Sequence, residues 1–450
     1  VLLGKLSGQE QHYGFIILRG VSGFGQMRFV AKHYGELSKK LADFGLTLGF
    51  GVFYGWRLFG ISKKLFAHVF LMLLFYAFFL LQPTLAEGWL FLGLGLAAGL
   101  FGIGLYFLAS HAYSVLTVAG TPPGVIPLVP GVTVPWEVVF ALIIVAVVHE
   151  LAHGVLCLVE NLKVKSSGVL LFGFLPVGAF VEPDEEKMAK VHLHKQRRIL
   201  GAGSTSNALF FIVFLFIALA LSMLTPFLVE SVSVKTVLQN STVLGLLSPG
   251  EKIFEANGET AKTAEQLQAL SLKGVLSLQT QDGEKKVRML ELEVMSSSNP
   301  ALEKGEKILR AEGKDVYTPA DLRTALSEGK AGSAVVLETS AGTKNAVLSS
   351  EGKLGITLAA RQTVEFENNP FDPFLFGLFS FLLLVVSFTY ALNFILATIN
   401  LLPLFLTDGQ RIFTIELQNA FGKKTGTKLS IACGLATLAL LAINALPWFI

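Results

Sequence analysis

The sequence predicts a polytopic α-helical membrane protein interrupted by one water-facing α/β region, on three observations. Hydrophobic residues fill 52% of the 450 positions and charged residues only 15%, with 37 Phe among them; mean hydropathy is +0.60. Such a composition lies outside the range of ordinary soluble domains. Apolar runs of about 20 residues, the length that crosses roughly 30 Å of hydrocarbon, recur along the chain. The charges are also unevenly placed: residues 228–361 carry 33 of the 69 Asp, Glu, Lys and Arg.

Six runs qualify as spans: 65–82, 89–108, 138–159, 208–227, 375–397 and 429–449. A seventh candidate, 44–59, is rich in Gly and carries Arg57; it either crosses the membrane or lies at its surface. Lys and Arg concentrate in three places: residues 1–42, the loop 161–206, and Arg411 with Lys423, Lys424 and Lys428. Cytoplasmic loops are enriched in these residues. The expected orientation therefore has the N-terminus inside and the charge-free segment 110–136, like the charged region 228–361, outside.

Net charge is +3, and the basic residues are scattered without interleaved aromatics, which excludes a nucleic-acid partner from the expectation. Cys157 and Cys433 both lie in apolar runs, so no disulfide framework is expected. No short apolar core with a small-residue cleavage site opens the chain, so no cleaved signal peptide is expected either.

Inside the charged region a pattern repeats at an offset of 55 residues: Gly250, Glu251, Lys252, Ile253, Ala256, Gly258, Thr263 and Leu267 recur as Gly305, Glu306, Lys307, Ile308, Ala311, Gly313, Thr318 and Leu322. Each copy reads as a turn, a short strand, a Gly turn and a helix capped by Thr. The pattern resembles the PDZ domain, as two tandem units over 228–295 and 296–362. Leu354, Gly355 and Ile356 resemble that family's carboxylate-binding loop, which implies capture of a peptide or unfolded segment by strand addition.

The residues that carry chemistry lie in the span 138–159. His149 and His153, four apart on a helix, face one way and can reach one metal, while Glu150 approaches water bound there. Ionisable residues in such an apolar helix mark functional sites; the competing reading is a buried structural His-Glu network. A catalytic zinc takes three protein ligands and leaves a position open. The conspicuous third candidate is Asp408, after a helix that Pro403 must break and before Gly409; otherwise Asp408 serves as the N-cap of a helix starting near Gln410.

Taken together, His149-Glu150-x-x-His153 in a membrane helix, Asn400-x-x-Pro403 followed by Asp408-Gly409, Gly203-x-x-x-Asn207, and the PDZ-like insert resemble the site-2 protease family of intramembrane zinc metalloproteases, most closely its archaeal members. The likeness covers about residues 130–425. Ser204 and Thr407 depart from residues common in the family. The implied architecture is a site-2 protease core of transmembrane helices with an inserted α/β PDZ-like soluble region. Its expected parts are residues 1–130 with two or three transmembrane helices, core segments 131–227 and 363–427 flanking the insert, and a final helix 428–450.

The resemblance implies one Zn²⁺ per chain held by His149, His153 and Asp408, with Glu150 as the catalytic base. Asn207 and Asn400 would bind substrate or the oxyanion, or else hydrogen-bond between helices. A hairpin with Gly173, Gly178 and Phe180 would pair with an unwound substrate. Partners would be transmembrane protein substrates in the lipid bilayer, and the zinc would lie toward the cytoplasmic side of a multi-pass cell-membrane protein. Two rivals stay open: a membrane gluzincin using Glu160 or a residue of 182–186, and a metal transporter or PDZ scaffold without catalysis.

Overall fold

The computed structural model describes residues 9–12, 15–20, 23–80, 88–118, 120–172, 175–239, 241–271, 274–327, 329–350 and 352–449. Two compact units emerge, Val1–Ala220 with Phe381–Ile450, and Leu221–Ser380.

The first unit begins with strands β1 (Gln9–His12) and β2 (Phe15–Gly20), followed by helices α1 (Phe24–Phe59), α2 (Lys63–Leu80), α3 (Gly88–Thr117) and α4 (Glu137–Val159). Strands β3 (Val164–Phe172) and β4 (Leu175–Pro183), the short helix α5 (Glu185–Met188) and the long helix α6 (Leu193–Ser222) complete its first part. The four strands form one antiparallel sheet in the order β1-β2-β3-β4, which leaves β4 at an edge. α1 and α3 cross backbone to backbone: Gly51 has φ +86°, Gly99 has φ +68°, and a Cβ on either would collide with the main chain of the other helix. Aromatic residues Phe44, Phe75, Tyr76, Phe79, Phe91 and Phe211 fill the core there.

Residues 161–206, expected as a loop, contain the sheet hairpin and the first half of α6. Several of the basic residues that suggested a loop are paired with carboxylates within the fold. Arg198 clasps the buried Asp43 through two 2.7 Å bonds and reaches Glu160 at 2.9 Å. Arg197, Arg57 and Tyr54 converge on Glu416. Charges paired this well can be carried into a packed helix end, where removing one partner would leave a costly unpaired group.

In the second unit, the chain runs through β5 (Val229–Val237), β6 (Lys252–Ala256), β7 (Glu259–Thr260), α7 (Ala264–Ser271), β8 (Val275–Thr280) and β9 (Gly283–Arg288). It continues through β10 (Leu290–Ser297), β11 (Lys307–Ala311), β12 (Lys314–Asp315), α8 (Pro319–Ala325), β13 (Ala334–Thr339), β14 (Gly342–Val347), β15 (Ile356–Gln362) and β16 (Val364–Pro370). Two sheets result, with orders β16-β5-β6-β8-β9 and β15-β10-β11-β13-β14. Strand for strand these orders correspond, so the 55-residue repeat is the visible part of a duplicated fold.

The duplication explains the repeated Gly-Glu-Lys-Ile. Glu251 is buried, accepts from the Ser248 amide at 3.1 Å and pairs with Lys285 at 2.5 Å. Glu306, its counterpart, accepts from the Glu303 amide at 3.3 Å and pairs with Lys344. Each carboxylate ties the turn before one strand to the terminal hairpin. Thr263 and Thr318 accept from the amides of Gln266 and Asp321, capping α7 and α8.

The two modules are nested, in contrast to the tandem arrangement expected. β10 (Leu290–Ser297) belongs to the second sheet, so the boundary expected after residue 295 falls before Leu290, and β16 returns past the second module to complete the first sheet. Pairing across the sheet, which the local pattern does not encode, decides this.

The chain re-enters the first unit through α9 (Pro373–Ile399), then α10 (Asp408–Phe421) and α11 (Lys423–Ala445). Among the described residues five helices are long and apolar enough to cross a membrane: Gly88–Thr117, Glu137–Val159, Leu193–Phe227, Pro373–Ile399 and Lys423–Trp448. The run 65–82 corresponds to α2, with its last two positions outside the described residues, and 44–59 forms the second half of the longer α1.

Burial tends to raise the Glu251 carboxyl, but the Lys285 bond and the turn contacts outweigh it and hold it below the ordinary carboxylate range. A folded value below the unfolded one contributes stability above the ordinary pKa of about 4.3, and that stability fades as pH falls through the lowered value. Replacing Glu251 by Gln should destabilise this module by about 1–3 kcal/mol at pH 7. It should also remove part of the acid-induced loss of amide protection in β6 and β9, as read by hydrogen exchange on the full chain between pH 7 and pH 3.

Candidate metal centre and active site

α4 is apolar apart from its first residue and the run His149-Glu150-x-x-His153. Its last turns pack against β4 and α6, and this burial fixes both rings. His149 is buried, at 6% exposure. The His153 Nδ1 lies 2.7 Å from the carbonyl oxygen of Ile199 in α6, to which only an N–H can donate. Its Nε2 is thereby left with the lone pair that a metal requires.

Asp408 reaches the same point by a local device. After α9 the chain turns through residues 400–407, and Thr407, not Asp408, caps α10: its hydroxyl accepts from the Gln410 amide at 3.2 Å. The Asp408 carboxylate is released from capping and points at the rings. Gly409 donates to the Asn400 carbonyl at 2.7 Å, and a Cβ on it would strike the Leu401 carbonyl, so the turn closes only around glycine.

The three donors meet within 4.8 Å of one another. Asp408 Oδ2 stands 3.2 Å from His149 Nε2 and 3.1 Å from His153 Nε2, and the two nitrogens are 3.2 Å apart. Zinc bonds of about 2.0–2.1 Å at tetrahedral angles set donors roughly 3.3 Å apart, so this triangle fits such an ion. Gly203 makes room for it. A Cβ there would sit within 2.5 Å of His153 Nε2 and also collide with His149 Cε1 and Nε2.

A cavity of about 670 Å³ opens on this point, lined by His149, Glu150, His153, Asn400, Asp408 and the strand β4, with Arg19 and Arg411 also at its wall. Its polar groups converge within otherwise apolar walls, the usual form of a ligand site. Glu150 Oε2 accepts the Val181 amide of β4 at 2.8 Å. That amide therefore faces away from β3 and toward the cavity.

Of the residues singled out in the sequence, His149, His153, Asp408, Glu150 and Asn400 come together here. The Asn400 amide nitrogen is 3.1 Å from His149 Nε2, on the cavity side. Asn207 is elsewhere: it is fully buried, 3.1 Å from His149 Nδ1 on the far edge of the ring, and does not line the cavity. A direct substrate or oxyanion role for Asn207 is therefore not supported, because α6 packs its side chain behind the histidine. Gly178 and Phe180 lie on β4 beside the cavity, and Gly173 falls outside the described residues. Glu160 is committed to Arg198 and Lys195, and Glu185 to Arg411, which removes both from the rival ligand set.

Leu354, Gly355 and Ile356 belong to the other unit. Leu354 is buried in the second module's core, Gly355 has φ +69°, and Ile356 opens the edge strand β15. The Val181 amide, the Ile199 carbonyl and Arg19 also stand at the site, although no sequence pattern singles them out. The first two are backbone groups and carry no side-chain signal. The cap at Thr407 was legible, as Thr followed three positions later by Gln410.

Replacing Gly203 by Ala should place a methyl group in the metal position. Metal per purified chain, measured by elemental analysis, should fall about tenfold or more, while detergent-extracted yield and helical content stay near the parent's.

Residues 137–348 match the model of peptidase family M50. The chain is also 28% identical over 334 residues to an uncharacterized protein of the archaeon Methanocaldococcus jannaschii, across 72% of this chain and 68% of that protein. The matched segment contains His149, Glu150, His153, Gly203 and Asn207, and among the described residues five helices are long and apolar enough to cross a bilayer. The chain is thus a multi-pass membrane protein whose segment 137–348 is similar to peptidase family M50.

Proposed function

We propose that the chain is a zinc metalloendopeptidase that hydrolyses peptide bonds within or near transmembrane segments of other membrane proteins, as a step of regulated intramembrane proteolysis. The observation that carries this reading is the triangle of His149, His153 and Asp408 with Glu150 beside it, in a cavity walled by a strand edge. One zinc per chain would be held by those three side chains and would supply Lewis acidity, polarising the scissile carbonyl and making the attacking water more acidic.

Glu150 takes a proton from the attacking water and returns it to the leaving amine. The Val181 amide holds its Oε2, leaving the other carboxylate oxygen for proton transfer. Asn400, on the open side of the His149 ring, donates toward the carbonyl oxygen or the neighbouring substrate backbone.

A transmembrane substrate presents no exposed carbonyl while it is helical, since lipid offers its backbone no other partner. The β4 edge resolves this. Alternate residues of a strand point their amides the same way, so Ala179, two before Val181, directs its backbone into the cavity. An unwound substrate laid along β4 gains strand hydrogen bonds in place of helical ones and passes in front of Glu150. Gly178 and Phe180 flank that path. The bilayer is the medium of the reaction, with the zinc toward the cytoplasmic side and the β-rich unit outside, as the distribution of Lys and Arg suggests.

Peptide capture at the β-rich unit is assigned to the second module. Its edge strand β15 follows the Leu354-Gly355 turn and runs near α8. In the first module the equivalent strand β16 is clamped to α7, because Asn368 bonds the Ala264 amide at 2.7 Å and the Glu265 carboxylate at 3.1 Å. Both modules are PDZ-like in this reading, and one is free to receive a peptide.

Glu150→Gln should retain one zinc per chain and lose about 10²–10⁴-fold in cleavage of a purified single-span substrate. Asp408→Ala should lose both zinc and cleavage; full zinc retention in that variant would remove Asp408 from the ligand set. Ala179→Pro deletes an amide that faces the cavity on an edge strand, where Pro is tolerated. It should keep the metal and sharply reduce cleavage of helical substrates, in a gel assay that follows product over time.

A further inference from the structure

We infer that Asn207 is a positioning residue for the metal centre: its side-chain carbonyl accepts the Nδ1 proton of His149 and thereby fixes the tautomer that presents Nε2 to the metal. The inference rests on reading His149 as a ligand. A neutral imidazole carries one proton, and ligation through Nε2 requires it on Nδ1, where it needs an acceptor. The group that meets Nδ1 is the Asn207 amide, at 3.1 Å.

The two orientations of that amide have nearly the same shape and are told apart by their hydrogen bonds. With the NH₂ group toward the ring, His149 must accept at Nδ1 and carry its proton on Nε2, where the metal belongs. Asn207 Oδ1 is then buried with no partner. A half-turn of the amide lets Oδ1 receive the Nδ1 proton, frees Nε2, and moves the NH₂ group to where Oδ1 stood. Ligation through Nε2 puts the His149 proton on Nδ1, where only the carbonyl end of the amide can accept it, so the metal-loaded centre selects this orientation.

The register of α6 supports the assignment. Ile199, Gly203 and Asn207 are spaced by four and share one face of the helix. The Ile199 carbonyl takes the Nδ1 proton of His153, Gly203 clears the space at both Nε2 atoms, and Asn207 meets Nδ1 of His149. One helix face thus orients both rings. Partners of this kind contribute about 10–100-fold to metal affinity.

The test measures the zinc dissociation constant by competition with a chromophoric chelator, in the full chain carrying Glu150→Gln to prevent self-cleavage. Asn207→Leu keeps the branched shape with somewhat larger groups and removes the acceptor, and should weaken zinc by about 10–100-fold. Asn207→Asp keeps an acceptor and should bind zinc at least as tightly as the parent. Asn393→Ala removes a similarly buried Asn whose amide bonds the Thr389 carbonyl of its own helix, and should leave zinc affinity unchanged.

The ligand-field spectrum of the Co²⁺-loaded protein should change in Asn207→Leu and be restored in Asn207→Asp. Parent-like zinc affinity in Asn207→Leu overturns the inference. So does zinc binding about tenfold weaker than the parent's in Asn207→Asp, which decides the matter if the Leu variant does not fold. His149→Ala separates the premise from the inference, since full zinc binding in that variant would refute His149 as a ligand whatever Asn207 does.

Discussion

The close approach of α6 to α4 at Gly203 is the constraint on which the rest of the centre depends. Helices in lipid gain little from hydrophobicity alone, and small residues let their backbones come near enough for packing and hydrogen bonding to hold them. Here that nearness has a chemical purpose. It brings one face of α6 against the two histidines, so the Ile199 carbonyl and Asn207 meet the outer ring nitrogens while the inner ones converge beside Asp408. A larger residue at 203 would close the triangle.

Ion pairs at the start of α6 hold that register. Arg198 joins α6 to α1 through Asp43 and to the end of α4 through Glu160, while Arg197 ties it to α10 through Glu416. The same helices carry the histidines and Asp408, so the charged end braces the geometry of the centre. Expected as solvated loop residues, these arginines are framework, because each meets a buried or partly buried carboxylate. In the β-rich unit Glu251 and Glu306 play a comparable part, each locking a turn to a distant hairpin.

His149, Glu150 and His153 are legible in the sequence because helical spacing alone sets their relation and an apolar span makes them conspicuous. Asp408 is legible in outline, as a carboxylate following a broken helix, although its freedom from capping depends on Thr407. The repeat is visible only over β6 to α7, where turn residues and Thr caps act locally. The exchange that nests one module inside the other is not visible, because β10 and β16 have similar local patterns and differ in the distant strands they pair with. Asn207 is legible as a residue of interest but not as one behind a ring, since only packing decides which edge of His149 it meets. The Val181 and Ile199 main-chain groups leave no trace in residue identity.

The central claim is that two imidazoles and one carboxylate hold a single metal. X-ray absorption at the zinc edge on the purified chain tests it most directly. The expected result is one zinc with nitrogen and oxygen neighbours at about 2.0–2.2 Å, including two imidazole signatures, and no sulfur. A sulfur shell near 2.3 Å, or a chain that binds no zinc, would contradict it.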